Sequence, residues 1–195
     1  TLSKDLIRER LETKAFLMAG LRVRLVDEQE RSTEVFHYPG GITDFLQRLA
    51  EGRTLIDAQP FHFTYANGLR LEVAMAWTSE TSHRVLSFVN SIPTPAGGTH
   101  EIGFRNGITR ALRTYIEKRN GLPKGIKGVS AEDVREGLLA LVSVYLQGNL
   151  EFQGQTKERL NSSQGQQVEA PVRNAFETWL HQNPSQAAAV ANRVV

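Results

Sequence analysis

The feature that most constrains the fold of this 195-residue chain is Leu69–Trp77, nine residues in which every second side chain is large and apolar. A period of two predicts a β-strand that packs one face against a core. The dipeptide Asn67-Gly68 directly before it is a hairpin signal, and residues 61–65 alternate in the same way. With Arg84–Val89 as a third strand, residues 59–90 are predicted to form an antiparallel meander with one buried face.

Helical and strand patterns on either side extend this interpretation. Residues 42–49 resemble a short helix, and Thr99 is placed to cap a long one. Residues 138–144 form a continuous apolar run, which favours a buried central strand, and apolar residues recur at helical spacing over 168–180. The order helix, strands, helix, strand, helix predicts an α+β fold with helices packed on one face of the sheet.

Composition excludes several classes of function. The absence of cysteine excludes disulfides, a thiol nucleophile and a cysteine metal site. None of the five histidines has a partner at metal-binding spacing, and the chain lacks both a G-x-S-x-G elbow and a P-loop. No apolar run approaches about 18 residues, so we expect no membrane span. The residues alone therefore predict no metal site and no self-sufficient active site.

The start of the chain has the pattern of one helix followed by one alternating strand at 21–25. A helix and a single strand cannot close a sheet. We therefore expect residues 1–28 to be the end of a domain whose body lies upstream, with the polar stretch 27–34 as the boundary. The alternative is that this helix and strand join the sheet that follows.

Basic residues are concentrated on and after the long predicted helix, where Glu101 and Glu117 offset them locally. A basic face of this kind attracts phosphates without reading bases. The alternative is an ordinary solvated helix face. The basic residues of this group are Arg105, Arg110, Arg113, Lys118, Arg119, Lys124 and Lys127.

Two segments that contain glycine are further candidates for phosphate binding. The pair Gly97-Gly98 could present amide N–H groups to an anion, although such a pair more often turns the chain. In the segment 152–160, Gly154 permits an unusual backbone, Gln155 can donate a hydrogen bond and Lys157 is a point charge. These two side chains could reach a phosphate held by another domain. The alternative is that Lys157 is an ordinary exposed lysine.

Six short segments, in the same order, resemble the ATPase subunits of type IIA topoisomerases, which are the B subunits of DNA gyrase and topoisomerase IV. Together they cover essentially the whole chain. The stretch 119–125 and the ending QTKERL look closer to topoisomerase IV than to gyrase. The six segments are 16–21 (FLMAGL), 37–42 (HYPGGI), 88–100 (FVNSIPTPAGGTH), 103–105 (GFR), 132–138 (EDVREGL) and 152–160 (FQGQTKERL).

The resemblance implies that residues 1–28 end a GHKL ATPase domain whose nucleotide pocket lies outside this chain, and that residues 29–195 form a transducer domain. The transducer fold is similar to ribosomal protein S5 domain 2, an antiparallel-rich sheet with helices on one face and a left-handed βαβ crossover.

The implied function is that of an ATP-hydrolysing type II DNA topoisomerase in the cytoplasm, with ATP and Mg²⁺ as cofactors of the full subunit. Nucleotide binding would close a homodimeric gate on double-stranded DNA, and a DNA-cleaving A subunit would complete strand passage. The fragment alone is not expected to be catalytic.

By the same resemblance, Gln155 and Lys157 contact the γ-phosphate, as catalytic and cofactor-binding residues, and Arg105 lines a DNA-sized cavity. Two departures bear on the 152–160 segment: Tyr145 stands where the family usually has lysine, and no proline precedes the segment. The alternative is a non-enzymatic basic module that binds nucleic acid, or a transducer-like domain of another GHKL ATPase.

Overall fold

The computed structural model describes residues 3–57, 59–119 and 128–195, and it confirms a mixed α+β fold. The chain divides into two compact units, Thr1–Glu51 and Gly52–Val195. The first unit contains, in order, α1 (Lys4–Leu17), β1 (Arg22–Asp27), β2 (Ser32–His37) and α2 (Ile42–Leu49).

The second unit begins with four strands and a long helix: β3 (Phe61–Asn67), β4 (Leu69–Trp77), β5 (Arg84–Val89), β6 (Ile92–Pro93) and α3 (Thr99–Lys118). Its remaining elements are α4 (Ala131–Arg135), β7 (Leu138–Tyr145), β8 (Phe152–Gln153), β9 (Arg159–Leu160), a 3-10 helix (Ser163–Val168), α5 (Glu169–Gln182) and α6 (Pro184–Val194).

Aromatic stacking organises the core of the first unit. The buried ring of Phe16 lies 3.6 Å from that of Tyr38 and 4.4 Å from that of Phe45, measured between centroids. The hydroxyl of Tyr38 donates a hydrogen bond to Glu12 at 2.5 Å, and Arg48 forms an ion pair with the same carboxylate. Residues 16 and 38 belong to two of the segments that carry the family resemblance, and they pack against each other.

The predicted boundary at 27–34 is instead the turn of a hairpin. Strands β1 and β2 pair antiparallel from Arg22 with His37 to Asp27 with Ser32. The Asp27 carboxylate accepts hydrogen bonds from the backbone N–H groups of Gln29 and Glu30, both at 3.0 Å. This is why a charged, polar stretch closes a turn here. The compact units therefore do not divide at residue 28, and β1 does not join the larger sheet.

The second unit is built on a five-stranded sheet in the order β3-β4-β7-β5-β6. Three of its four pairings are antiparallel, and β5 runs parallel to β7. The predicted meander of residues 59–90 is therefore wrong at its third strand. The apolar strand β7 inserts between β4 and β5, because its side chains are buried on both faces and a central position satisfies them. The link from β5 to β7 passes through α3, as a βαβ crossover.

One hydrophobic core joins alternate residues of the sheet to α3, α5 and α6. The large apolar side chains of β4 all belong to it, as the period of two predicted. The Trp77 ring stacks 5.9 Å from Phe176, and its indole N–H donates to the Val134 carbonyl at 2.9 Å. The other core members include Phe104, Ile108, Leu112, Tyr115, Val142, Val144, Val172, Leu180 and Val190.

Glycines allow α3 to pack unusually close to α5. A Cβ on Gly107 would lie 2.8 Å from the Glu169 carbonyl oxygen, and one on Gly103 would lie 3.2 Å from that of Gln166. Both glycines sit inside the helix, where they cost stability relative to alanine. Their presence is explained by this close approach, which brings the start of α3 to the segment that follows β9.

Helix α4 begins at a capping box formed by Ser130 and Asp133. The Ser130 hydroxyl accepts a hydrogen bond from the Asp133 backbone N–H at 3.1 Å, and the Asp133 carboxylate accepts one from the Ser130 N–H at 2.7 Å. These bonds form a capping box and lower the pKa of Asp133.

Candidate functional site

Gln155 and Lys157 lie at the tip of a short hairpin. Strands β8 and β9 pair through Phe152 with Leu160 and Gln153 with Arg159. The tip is a turn closed by a hydrogen bond from the Lys157 backbone N–H to the Gly154 carbonyl at 3.3 Å. Both side chains are exposed. The two residues predicted to reach a phosphate are therefore presented to solvent, two positions apart on one turn.

The backbone and side chain of Lys157 are both constrained. Its φ is +57°, in the left-handed region that non-glycine residues rarely adopt. Its ammonium nitrogen lies 5.5 Å from the centroid of the Phe152 ring, which is cation–π distance. The charge therefore rests on the hairpin's own stem and is not enclosed in the core.

Backbone contacts fix the stem of the hairpin to the segment before α3. The N–H of Leu160 donates to the Gly97 carbonyl at 3.1 Å, and the N–H of Ala96 donates to the Glu158 carbonyl at 3.0 Å. Gly98 pairs in parallel with Leu160, and a Cβ on Gly98 would lie 2.6 Å from the Leu160 nitrogen. Only glycine fits this position, so the segments 88–100 and 152–160 interlock.

The start of α3 differs from the prediction that Thr99 caps it. Gly98 occupies the cap position, and the Thr99 hydroxyl donates to the Ser162 carbonyl at 2.6 Å. The Gly97 N–H is likewise used, in a bond to the Thr94 carbonyl at 2.8 Å. The glycine pair therefore turns the chain and receives the hairpin stem, and the Gly97 amide is not free to bind an anion.

Asn90 clamps the end of the central strand, a role that the sequence analysis did not anticipate. Its side-chain amide donates to the Leu146 carbonyl at 3.1 Å and accepts from the Leu146 N–H at 2.9 Å. Its φ is +50°, which asparagine tolerates better than most residues. The clamp sets the direction in which the chain leaves β7 toward the hairpin.

A buried polar network lies under the start of α3. His100 has no exposed surface, and its Nε2 lies 3.0 Å from the Thr94 hydroxyl. That hydroxyl in turn donates to the Ser87 carbonyl at 2.9 Å. The Nδ1 atom of His100 is buried without a partner, and burial lowers the pKa of the ring to about 4. The histidine is therefore neutral at physiological pH and serves as a structural contact.

Arg105 does not project freely from α3. Its guanidinium donates to Glu101, one turn earlier, and 38% of its side chain is exposed. Glu101 is 13% exposed and also accepts a hydrogen bond from the Ser87 hydroxyl at 3.0 Å. The structure thus places the predicted DNA contact in a partly buried ion pair.

The remaining basic residues of α3 are also largely engaged. Arg110 forms an ion pair with Glu169 at 2.6 Å, and the Nε of Arg113 donates to the Val129 carbonyl at 2.6 Å. Lys118 is exposed. Lys124 and Lys127 lie outside the described residues. The sequence predicted a broad basic face on this helix. In the structure, Arg110 and Arg113 instead pair with an acidic side chain and a carbonyl group from other segments, which reduces that face.

Comparison with known proteins identifies the family. The family described as DNA gyrase B matches residues 41–195, which include the Gly97-Gly98 segment and the complete hairpin. The chain belongs to the DNA gyrase B family. Arg105, Gln155 and Lys157 all lie inside the matched range.

Relatives of two kinds match the whole, or nearly the whole, of this gyrase B-family chain. It is 31% identical to the B subunit of DNA topoisomerase 4 from Staphylococcus epidermidis, covering 100% of this chain and 30% of that protein. It is 35% identical to the B subunit of DNA gyrase from Halalkalibacterium halodurans, covering 97% of this chain and 30% of that protein. The chain thus spans about a third of the length of these relatives.

A solved structure shares the fold over nearly the full chain. The 43K ATPase domain of Thermus thermophilus gyrase B, solved with an aminocoumarin, is 32% identical, with a TM-score of 0.87. The match covers 99% of this chain and 52% of that one. The family resemblance based on six short segments is therefore confirmed.

Tyr145, where the resemblance led us to expect lysine, is integrated into the fold. Its hydroxyl lies 2.7 Å from the Ser91 hydroxyl, and the Arg70 guanidinium lies 4.7 Å from the centre of its ring. The tyrosine therefore connects the end of β7 to the turn after β5, beside the Asn90 clamp. The hairpin is formed without the proline that the family usually has.

The described part of the gyrase B-family chain offers no group of three or more histidine, cysteine, aspartate or glutamate side chains that could hold a metal. Over the same residues, no helix is long and apolar enough to span a membrane.

Proposed function

We propose that this chain carries the transducer of a bacterial type II DNA topoisomerase B subunit and couples nucleotide state to DNA strand passage. One observation supports the proposal most directly. Gln155 and Lys157 lie on the exposed turn of a hairpin, and the stem of that hairpin is bonded to the segment before α3. A cation at such a position can bind a phosphate held elsewhere in the subunit. A movement of that phosphate would then shift the hairpin and, through its stem, the sheet.

The chemistry of the tip fits the terminal phosphate of ATP. An ammonium donates to phosphate oxygens as a point charge, and a glutamine amide adds a neutral donor. Such contacts favour the charge that develops on the transferred phosphoryl group. Lys157 would exchange its contact with Phe152 for the phosphate. When hydrolysis removes the phosphate, the partner of Lys157 is lost, so domain position follows nucleotide state.

The cofactor pocket itself belongs to another part of the subunit in this proposal. Among the described residues, no three histidine, cysteine, aspartate or glutamate side chains converge, and the role proposed for this chain is to contribute donors to the nucleotide. ATP supplies the phosphate that the tip contacts. The first unit would end the GHKL ATPase domain, and the second would form an S5 domain 2-like transducer with a left-handed crossover.

The partners follow from the same assignment. Arg105 would contact the phosphate backbone of a captured double-stranded DNA segment, in exchange for its pair with Glu101. The full subunit would dimerise when it binds ATP, and it would work with a DNA-cleaving A subunit in the cytoplasm. This assignment implies decatenation or supercoiling of DNA as the overall outcome.

The experiment that tests the nucleotide contact is ATP turnover in the intact subunit. We expect Lys157→Ala and Gln155→Ala each to lower turnover by about two orders of magnitude, as for other lost transition-state donors. The matched control is Lys118→Ala, which removes an exposed lysine from α3. Wild-type turnover in both hairpin variants would refute the proposed role.

The DNA contact is tested separately with Arg105→Gln. We expect weaker stimulation of ATP turnover by linear DNA, and a salt dependence of DNA binding that is lower by about one phosphate contact. Lys118→Gln serves as the control for the loss of one positive charge on the same helix. Unchanged stimulation and an unchanged salt slope would remove Arg105 from the DNA site.

A further inference from the structure

Glu101 contacts Arg105 and lies beside Gly97, which receives the hairpin that carries Lys157. We propose that it is a positioning residue that couples the contact of Arg105 with DNA phosphate to the placement of the hairpin that carries Lys157. This inference rests on the proposed function.

On one side, Glu101 holds Arg105. One carboxylate oxygen accepts from the Arg105 guanidinium, and the other accepts from the Ser87 hydroxyl at 3.0 Å. Ser87 itself is buried on β5, where it pairs with Val142 of the central strand β7. The carboxylate is therefore fixed between a movable cation and a rigid strand.

On the other side, Glu101 lies against the segment that receives the hairpin. A Cβ on Gly97 would lie 2.9 Å from a carboxylate oxygen of Glu101, so the carboxylate occupies the space beside Gly97 that a side chain there would need. The carbonyl of Gly97 accepts the Leu160 N–H at 3.1 Å. Two contacts thus separate the Arg105 guanidinium from the end of the hairpin: Glu101 with Gly97, and Gly97 with Leu160.

Electrostatics gives this arrangement two states. A carboxylate that is only 13% exposed needs a compensating cation or water. When a DNA phosphate binds Arg105, Glu101 retains its hydrogen bond from Ser87 but loses its ion pair. The Glu101 carboxylate must then turn toward water to be solvated. That movement releases the Gly97 backbone, on which the Leu160 hydrogen bond depends. By linkage, a hairpin drawn toward a nucleotide phosphate also weakens the hold of Glu101 on Arg105.

The test uses the intact subunit assembled with its DNA-cleaving partner and compares Glu101→Gln with wild type. Glutamine keeps the shape of the side chain and removes its charge. We expect ATP turnover without DNA within about twofold of wild type, and stimulation by linear DNA reduced by roughly threefold or more, the range of measured coupling energies. The matched control is Glu117→Gln, an exposed glutamate on the same helix, for which stimulation stays at the wild-type level.

A second readout follows the hairpin itself. In wild type, addition of duplex DNA should change hydrogen exchange at the Leu160 and Ala96 amides, whereas in Glu101→Gln it should not. The double variant Glu101→Gln/Arg105→Gln should lose no more stimulation than Arg105→Gln alone. Ser87→Ala removes one hydrogen bond to the Glu101 carboxylate and should give a smaller loss of DNA stimulation. If Glu101→Gln does not fold, this variant tests the coupling role instead.

Failure of this inference is distinguishable from failure of the proposed function. If Arg105→Gln abolishes stimulation while Glu101→Gln and Ser87→Ala retain it in full, the coupling role is overturned and the DNA contact stands. If Arg105→Gln itself behaves as wild type, the proposed DNA contact fails, and the coupling fails with it.

Discussion

Gly98 and Leu160 are paired so closely that the backbone of one occupies the space that a side chain on the other would need. A Cβ on Gly98 would lie 2.6 Å from the Leu160 nitrogen, and Leu160 itself has no exposed surface. The φ of Gly98 is +139°, a conformation that is almost restricted to glycine. This contact fixes the hairpin that carries Lys157 to the start of α3.

We therefore expect Gly98→Ala to lower the free energy of unfolding by about 3 kcal/mol, from backbone strain and steric overlap together. The matched control is Gly128→Ala, because Gly128 has a φ of +159° and a Cβ added there would have nothing within 4 Å. It should cost about 1 kcal/mol. Urea unfolding of both variants measures the difference, and equal losses would show that the close approach to Leu160 contributes nothing.

Asn90 should stabilise the folded chain in two ways, through its two hydrogen bonds with Leu146 and through its tolerance of a positive φ. Asn90→Ala loses both hydrogen bonds and adds strain, for an expected loss of about 2 kcal/mol. Asn90→Gly loses the hydrogen bonds but relieves the strain, so it should be the more stable variant by about 1 kcal/mol. Chemical denaturation compares the two. Wild-type stability in both would contradict a clamp.

His100 should make stability depend on pH in a defined window. Its pKa is about 4 in the folded chain and ordinarily 6.5, so the unfolded chain binds more protons between these values. The stability contributed by the neutral ring is fully present above about pH 6.5 and is lost as the pH falls toward 4. Between about pH 7.5 and about pH 5.5, we expect a loss of about 1 kcal/mol.

Replacement of the histidine isolates this effect. His100→Asn should remove that part of the pH dependence, measured as unfolding free energy at the two pH values, whereas His181→Asn, at an exposed position, should retain it. A pH dependence that is identical in wild type and His100→Asn would show that the ring titrates normally in the folded chain.

Local patterns predicted much of the fold, because they depend on neighbours in sequence. The alternation of Leu69–Trp77 identified both the strand and its buried face, and the apolar run at 138–144 identified a buried central strand. Strand partners were not predictable in this way. A period of two gives the face of a strand but not its neighbour, so the insertion of β7 between β4 and β5 was missed.

In the candidate site too, local features were predictable from the sequence and long-range partners were not. Gln155 and Lys157 were identified from a motif, yet a hairpin with two residues in each strand carries too short a pattern to be predicted. Thr99 has the residue type of a cap, but its hydroxyl is used by Ser162, 63 residues away. Arg110 likewise pairs with Glu169 from another helix, which a count of local charges cannot include.

The central claim is that Lys157 senses the terminal phosphate of a nucleotide, and it is tested most directly by nucleotide binding to the intact subunit. Calorimetry would compare a non-hydrolysable ATP analogue with ADP, in wild type and in Lys157→Ala. A lost charge-assisted hydrogen bond should weaken the analogue by about 10- to 100-fold, with ADP changed by less than about twofold. An unchanged affinity for the analogue, or an equal loss for both nucleotides, would contradict the account.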